Sequence, residues 1–192
     1  MEPQQPKKES KADNREVITL GGGCFWCTEA VYSMVQGVVK VESGYAGGCI
    51  ENPNYEQVST GKTGHAEVVQ VTFDPSVVSL REILKIFFAA HNPTTLNRQG
   101  ADVGTQYRSV VFYHSDAQRE TVERLIEELN YEKIWSAPIV TQITPLKAFY
   151  RAEGYHRNYY EQHRNQPYCR LVIDPKLKKL RKRFKDHLKK AS

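Results

Sequence analysis

The segment Gly21-Gly22-Gly23-Cys24-Phe25-Trp26-Cys27-Thr28-Glu29 brings together two thiols in C-x-x-C spacing, two aromatic rings and a flexible turn. A thiolate is the nucleophilic form of cysteine, and a thiol three residues away can capture what it forms. The apolar run Val17-Ile18-Thr19-Leu20 precedes the glycines, and residues 28–35 read as helix. The glycines let the chain turn sharply out of a strand, so Cys24 falls at or beside a helix N-terminus. Unpaired backbone N–H groups and the helix dipole there favour a thiolate over a thiol. Phe25 and Trp26 place aromatic faces beside the sulfur, a wall suited to a small apolar group rather than to a metal ion. The plainer alternative is a buried strand–turn–helix whose cysteine is only a small hydrophobe.

A reactive cysteine needs a group to polarise its target. Glu67, in Thr63-Gly64-His65-Ala66-Glu67, opens the apolar strand Val68-Val69-Gln70-Val71. A carboxyl at such a strand mouth is partly desolvated, which raises its pKa and keeps a proton for general acid work. Read alone, Glu67 fits an exposed edge glutamate better. His65 reads as a hydrogen-bonding loop residue. Tyr55 and Tyr107 can donate to a polar oxygen, though tyrosines more often fill cores with a wet tip. Asp102 can equally be a turn residue beside Gly104.

The elements that must position these residues alternate in period. Residues 17–20, 38–45, 66–73 and 107–113 read as strands, and Gly37 sits past the first helix in a position favoured for caps. Ser79-x-x-Glu82 is a capping box before the stripe Leu80, Ile83, Leu84, Phe87 and Phe88; Ser115-x-x-Gln118 precedes Val122, Leu125, Ile126 and Leu129. Strand–helix–strand–strand–helix–strand is the split βαβ, ferredoxin-like order, an α/β (α+β) single domain with a mixed sheet and helices on one face. Residues 139–143 and 171–173 are candidates for added strands. Two long polar connections, 46–65 and 91–106, carry or adjoin Tyr55, His65, Asp102 and Tyr107. Loops of that length are usually functional or disordered.

With 192 residues, 26% of them charged and 40% hydrophobic, the chain suits one soluble domain. No apolar run approaches membrane-spanning length, and residues 1–15 lack the apolar core of a signal peptide, so a cytoplasmic protein is expected. Residues 1–14 have little to bury and are expected to be disordered. Residues 15–174 form the expected catalytic domain, and 175–192 a basic amphipathic helix. From Lys176 to Lys190 nine Lys or Arg face one acid, Asp186, with Leu177, Leu180, Phe184 and Leu188 at helical spacing. A solvated basic face explains that charge better than nucleic-acid or membrane binding. Four cysteines, two of them in a C-x-x-C, point to thiol chemistry rather than to a disulfide framework.

Gly23-Cys24-Phe25-Trp26, Gly44-Tyr45-Ala46-Gly47-Gly48, Asn52-Pro53-x-Tyr55, Thr63-Gly64-His65-Ala66-Glu67, Asn97-Arg98-Gln99-Gly100, Asp102-Val103-Gly104-x-Gln106-Tyr107-Arg108-Ser109 and Gly154-Tyr155-His156-x-Asn158-Tyr159-Tyr160 follow one another in order. Together they resemble peptide methionine sulfoxide reductase, class A, over nearly the whole domain. The resemblance implies a ferredoxin-like α/β core and a reaction without cofactor or metal. It implies that Cys24 attacks the sulfur of methionine-S-sulfoxide while Glu67 protonates the oxygen. Tyr55 and Tyr107 would hydrogen-bond that oxygen, Phe25 and Trp26 would hold the ε-methyl group, and Asp102 would help organise the pocket. Cys24 is left as a sulfenic acid, which a second thiol captures.

The chain departs from the commonest family pattern at the second thiol. Many members have Gly at the place of Cys27 and resolve through a C-terminal cysteine; Ser59 stands where many carry another. Positions i and i+3 at a helix start are neighbours, which favours Cys27 as the resolving residue. Cys169, opening the expected strand 171–173, is the alternative, and Cys49 reads as an incidental loop thiol. Thioredoxin as reductant and a monomeric state are further expectations. Three rival readings rest on less. A papain-like hydrolase would use Cys24 with His156 or His65, and a thioredoxin-like oxidoreductase would use the C-x-x-C alone. A zinc module would need Cys49, Cys169 and His65 to complete its ligands.

Overall fold

The computed structural model of the chain describes residues 13–190. Most of the expected tail 1–14 therefore lies outside the described residues. The elements are β1 (Glu16–Gly21), α1 (Phe25–Ser33), β2 (Val38–Ala46), α2 (Tyr55–Ser59), β3 (Ala66–Phe73), α3 (Leu80–Ala90), β4 (Arg98–Gln99) and β5 (Asp102–Val103). They continue with β6 (Val110–Tyr113), α4 (Asp116–Tyr131), β7 (Gln142–Pro145), β8 (Phe149–Arg151), α5 (Tyr159–Gln162) and α6 (Asp174–Arg183). The main sheet runs β7-β6-β1-β3-β2-β8. Its middle order β6-β1-β3-β2 is antiparallel throughout, the ferredoxin-like arrangement, while β7 joins β6 in parallel at one edge. The expected α/β fold is the observed one.

Strand β3 shows why the site lies where it does. Side chains alternate across a strand, so Glu67 shares a face with Val69, Val71 and Phe73. Those three join the core beneath the helices, whereas Ala66 and Val68 pack with Val110 and Phe112 on the opposite face. Glu67 is therefore carried onto the helix-covered face, at the end of β3 where the register pairs Tyr45 with Glu67. Helix α1 lies on that face with every residue but Trp26 and Ser33 buried. A helix apolar around most of its circumference must be covered on several sides. Strands β2 and β3 lie against one side of α1, and α5 and α6 against others.

Two capping signals read from sequence fold as such. Glu82 N–H donates to Ser79 Oγ at 3.1 Å and Ser79 N–H returns to Glu82 Oε2 at 2.7 Å. Gln118 N–H donates to Ser115 Oγ at 3.3 Å, and the Gln118 amide ties β1 by donating to Val17 O at 2.9 Å.

Other expectations are corrected. Residues 171–173 are not a strand; Cys169–Ile173 is a π-helical turn running directly into α6. Buried Cys169 and Ile173 face the core there, so packing overrides the strand propensity of Leu171-Val172-Ile173. Tyr107 closes a short 3-10 turn, Thr105–Tyr107, ahead of β6 rather than lying on a strand. The added strand expected over 139–143 is β7, shifted to Gln142–Pro145. The basic helix stops at Arg183, and Leu188 then pairs with Val35 beside a bond from Gln36 N–H to His187 O at 2.8 Å. Dense like charges at helical spacing weaken continuation of that helix. The long connections are also not bare loops. One carries α2, capped reciprocally by Asn54 and Gln57; the other carries the β4–β5 hairpin. Arg108 bridges the two connections, donating to Thr105 O and to Gly64 O at 2.9 Å each.

Candidate active site

Cys24 is the N-cap of α1, and Cys27 stands three residues on, in the first turn. Gly23 reaches that cap with φ +94°, and a Cβ there would lie 2.7 Å from the Gln99 side chain. Only glycine takes this turn without strain. Cys24 is 8% exposed, so its sulfur sits just beneath the surface.

Glu67, 2% exposed, comes to the same helix end. Its Oε2 accepts the Phe25 N–H at 3.1 Å, one of the free donors of the first turn. The carboxyl rather than the thiol takes this donor. Burial pushes the Glu67 pKa up to about 8, against the lowering effect of that amide and with help from Asp102 and Cys27. The acid is thus protonated at neutral pH: Oε2 accepts from Phe25, leaving Oε1 to carry the proton.

The expectation of a resting Cys24 thiolate is corrected. Burial, the Cys27 sulfur and the Glu67 charge all push Cys24 well above its ordinary range. The helix end does not outweigh desolvation. Cys27 moves the other way, to about 7. Its interaction with Cys24 lowers it most, burial opposes this, and Lys176 and the Tyr168 hydroxyl assist. The buried pair shares one proton economy, with the thiol form held at Cys24.

The aromatic residues assemble around these groups. Phe25, 1% exposed, lies within 6.4 Å of Tyr55 in a stacked arrangement and 5.7 Å from Tyr45. Trp26 is half-buried and stacks on Tyr159 at 3.7 Å and 5°. Tyr168 meets the same indole edge-on at 5.9 Å. Burial and the nearby Glu67 and Cys24 charges raise Tyr55 to about 12, and burial with Glu67 and Asp102 raises Tyr107, so both hydroxyls keep their protons. Asp102 accepts from Tyr168 Oη at 2.8 Å, and that same hydroxyl lies 3.8 Å from Cys27 Sγ.

Cys24, Cys27, Glu67, Phe25, Trp26, Tyr55, Tyr107 and Asp102 are therefore one neighbourhood. Cys169 is buried beside it, raised by its own burial and by the charge of Cys27. Cys49 stands apart and exposed. His65 is a loop fastener, as read: Nδ1 accepts from Gly48 N–H at 3.1 Å, so Nε2–H donates to Ile50 O at 2.7 Å. Among the described residues no three His, Cys, Asp or Glu converge as metal ligands, and no helix is long and apolar enough to cross a membrane.

Sequence reasoning assigned no role to three residues that the site uses, Tyr168, Glu153 and Tyr159, and named a fourth, His156, only as the base of the papain-like alternative. Tyr168 links Asp102 to Cys27. Glu153 accepts from Tyr55 N–H at 3.1 Å and from Tyr45 Oη at 3.0 Å, anchoring α2. Tyr159 and His156 back Trp26. The density of rings in Tyr155-His156-x-Asn158-Tyr159-Tyr160 was the available signal. A cavity of about 450 Å³ lies behind this wall on the β2–β8 side; His156 lines it but Cys24 does not.

The arrangement defines a thiol oxidoreductase site with a buried acid. A family model described as peptide methionine sulfoxide reductase matches residues 16–188, and the chain belongs to that family. The family reduces methionine sulfoxide. A relative from Saccharolobus solfataricus, named peptide methionine sulfoxide reductase MsrA, is 59% identical over 174 residues, covering 91% of this chain and 97% of its own. Mxr1 of Saccharomyces cerevisiae in reduced form is similar with a TM-score of 0.77 and 39% identity, over 85% of this chain and 94% of that one. Mxr1 in complex with Trx2 is similar at a TM-score of 0.55 and 31% identity, over 80% and 91% of the two chains.

Proposed function

We propose that this chain reduces methionine-S-sulfoxide, free or within proteins, to methionine by way of a sulfenic acid on Cys24. The observation that carries the reading is Glu67: a buried carboxyl, its pKa pushed up to about 8 by burial, bonded to the backbone N–H immediately after Cys24. The substrate oxygen takes the Glu67 proton as the Cys24 sulfur attacks the sulfoxide sulfur. The proton leaving Cys24 restores the Glu67 carboxyl, so the acid is unchanged overall. The hydroxyl then passes from the substrate sulfur to Cys24 as the new sulfur–sulfur bond breaks, so sulfoxide and thiol become sulfide and sulfenic acid. Tyr55 and Tyr107 donate to the oxygen, Phe25 and Trp26 meet the methyl group, and Asp102 holds Tyr168 in place.

Cys27 then displaces water from the sulfenic acid, forming a Cys24–Cys27 disulfide. Lys176 and the Tyr168 hydroxyl favour the Cys27 thiolate independently of Cys24, whereas burial and the Cys27 charge hold Cys169 above its ordinary range. A thioredoxin-type dithiol closes the cycle; the complex of yeast Mxr1 with Trx2 supports that choice. This is repair of oxidised methionine by a cytoplasmic monomer, with residues 15–174 as the catalytic unit and 175–192 attached to it. The test offers resolved S and R epimers of a blocked methionine sulfoxide with a dithiol. The S epimer is reduced and the R epimer is not. Equal rates on both, or activity surviving Cys24→Ser, would overturn the reading.

A further inference from the structure

Trp26 Nε1–H donates to His156 Nδ1 at 2.9 Å. A neutral imidazole has a single accepting nitrogen, so this bond puts the ring proton on Nε2. That Nε2–H is buried and has no hydrogen-bond partner among the described residues, and His156 itself is 0% exposed. A phenyl ring of similar size would keep the packing against Phe25 at 4.9 Å and Tyr55 at 4.6 Å without either ring nitrogen. What the imidazole adds is therefore its acceptor at Nδ1. Burial also lowers the His156 pKa, which keeps that nitrogen unprotonated at neutral pH.

The bond supplies something the stack cannot. Tyr159 lies parallel to Trp26 and Tyr168 meets it edge-on at 5.9 Å, apolar contacts that set the tilt of the indole without a directional bond to its Nε1 edge. A hydrogen bond at Nε1 fixes the rotation. The indole is then held in one orientation.

We propose that His156 is a positioning residue that sets the Trp26 indole, and through it the ability of the site to tell an S-methyl group from a larger S-alkyl group. This rests on the reading of Trp26 as the methyl wall of a sulfoxide reductase. Its test is arranged so that the two can fail separately.

The ratio of kcat/KM for N-acetylmethionine-S-sulfoxide over N-acetylethionine-S-sulfoxide is measured with dithiothreitol as reductant. His156→Phe removes the acceptor and keeps the ring; His156→Asn puts an amide oxygen close to the Nδ1 position. His156→Phe lowers the ratio about tenfold, the equivalent of one net hydrogen bond. His156→Asn stays within about threefold of wild type. In a Trp26→Phe background, with no Nε1–H to orient, His156→Phe changes the ratio less than about twofold. The Trp26 Nε1–H proton resonance, told from that of Trp135 by its loss in Trp26→Phe, moves upfield in His156→Phe and not in His156→Asn. An equal fall in both backgrounds assigns His156 a merely structural role and overturns the proposal. So does an unchanged ratio in His156→Phe. Should His156→Phe fail to fold, His156→Asn against His156→Gln, whose oxygen sits one carbon further out, carries the same contrast. If wild type reduces neither substrate, the functional reading fails, while the indole resonance still reports on the bond.

Discussion

The Phe25 N–H donates to Glu67 Oε2 at 3.1 Å, joining the first turn of the helix that Cys24 caps to a carboxyl brought in by the neighbouring strand. The contact fixes which oxygen of the acid accepts and which is left to donate. It also binds two separate sequence signals, the Gly-Gly-Gly-Cys turn and the mouth of β3, into one reacting unit.

Glu67→Gln keeps the shape of the side chain and the acceptor for Phe25 but removes the acidic proton. The sulfoxide-reduction step, followed in a single turnover, slows by about 10²-fold or more, while substrate binding changes much less. In wild type the same rate falls as pH rises through about 8, where Glu67 loses its proton. A rate for Glu67→Gln within a few-fold of wild type would show that another group protonates the oxygen.

The raised pKa of Glu67 also has a consequence for stability. The folded chain binds the proton up to about 8, whereas an unfolded chain releases it near 4.5. The stability this group contributes is complete below the lower value and is lost as pH rises to the higher one. Glu67→Gln cannot ionise, so its melting temperature relative to wild type climbs between pH 5 and pH 9, by roughly 5 °C or more. A difference that is flat across that range would mean Glu67 titrates normally. The same substitution thus gains stability and loses rate, because the acid is kept in a site that penalises its charge.

How far the sequence carried these conclusions depends on range. Period-two runs and the Ser79 and Ser115 caps are local signals, and they produced the strand–helix order that the sheet β6-β1-β3-β2 requires. Cys24 at a helix start was equally local. The raised Cys24 pKa was not, because it comes from burial by elements distant in sequence. Tyr168 and Asp102 meet across 66 residues, and no local pattern announces that bond. The helical turn at Cys169 escaped for the opposite reason: Leu171-Val172-Ile173 is locally strand-like, and tertiary packing of Cys169 and Ile173 overrules it.

That turn bears directly on how the enzyme is recycled. Cys27 lies one helical turn from Cys24, so slight fraying at the start of α1 brings the sulfurs to bonding range. Cys169 is also near, but it is fully buried at the head of a helix continuous with α6, and moving it means moving that helix. Electrostatics point the same way, since Lys176 and the Tyr168 hydroxyl favour the Cys27 thiolate while burial and the Cys27 charge raise Cys169. Cys27→Ser therefore reduces one equivalent of substrate and then stalls, with the Cys24 sulfenic acid trapped by dimedone and seen by mass spectrometry. Cys169→Ser continues to turn over with thioredoxin. In wild type the stalled disulfide, mapped after one turnover without reductant, joins Cys24 to Cys27. The opposite pattern, with Cys169→Ser stalling and Cys27→Ser cycling, would make the C-terminal thiol the resolving residue and Cys27 a bystander.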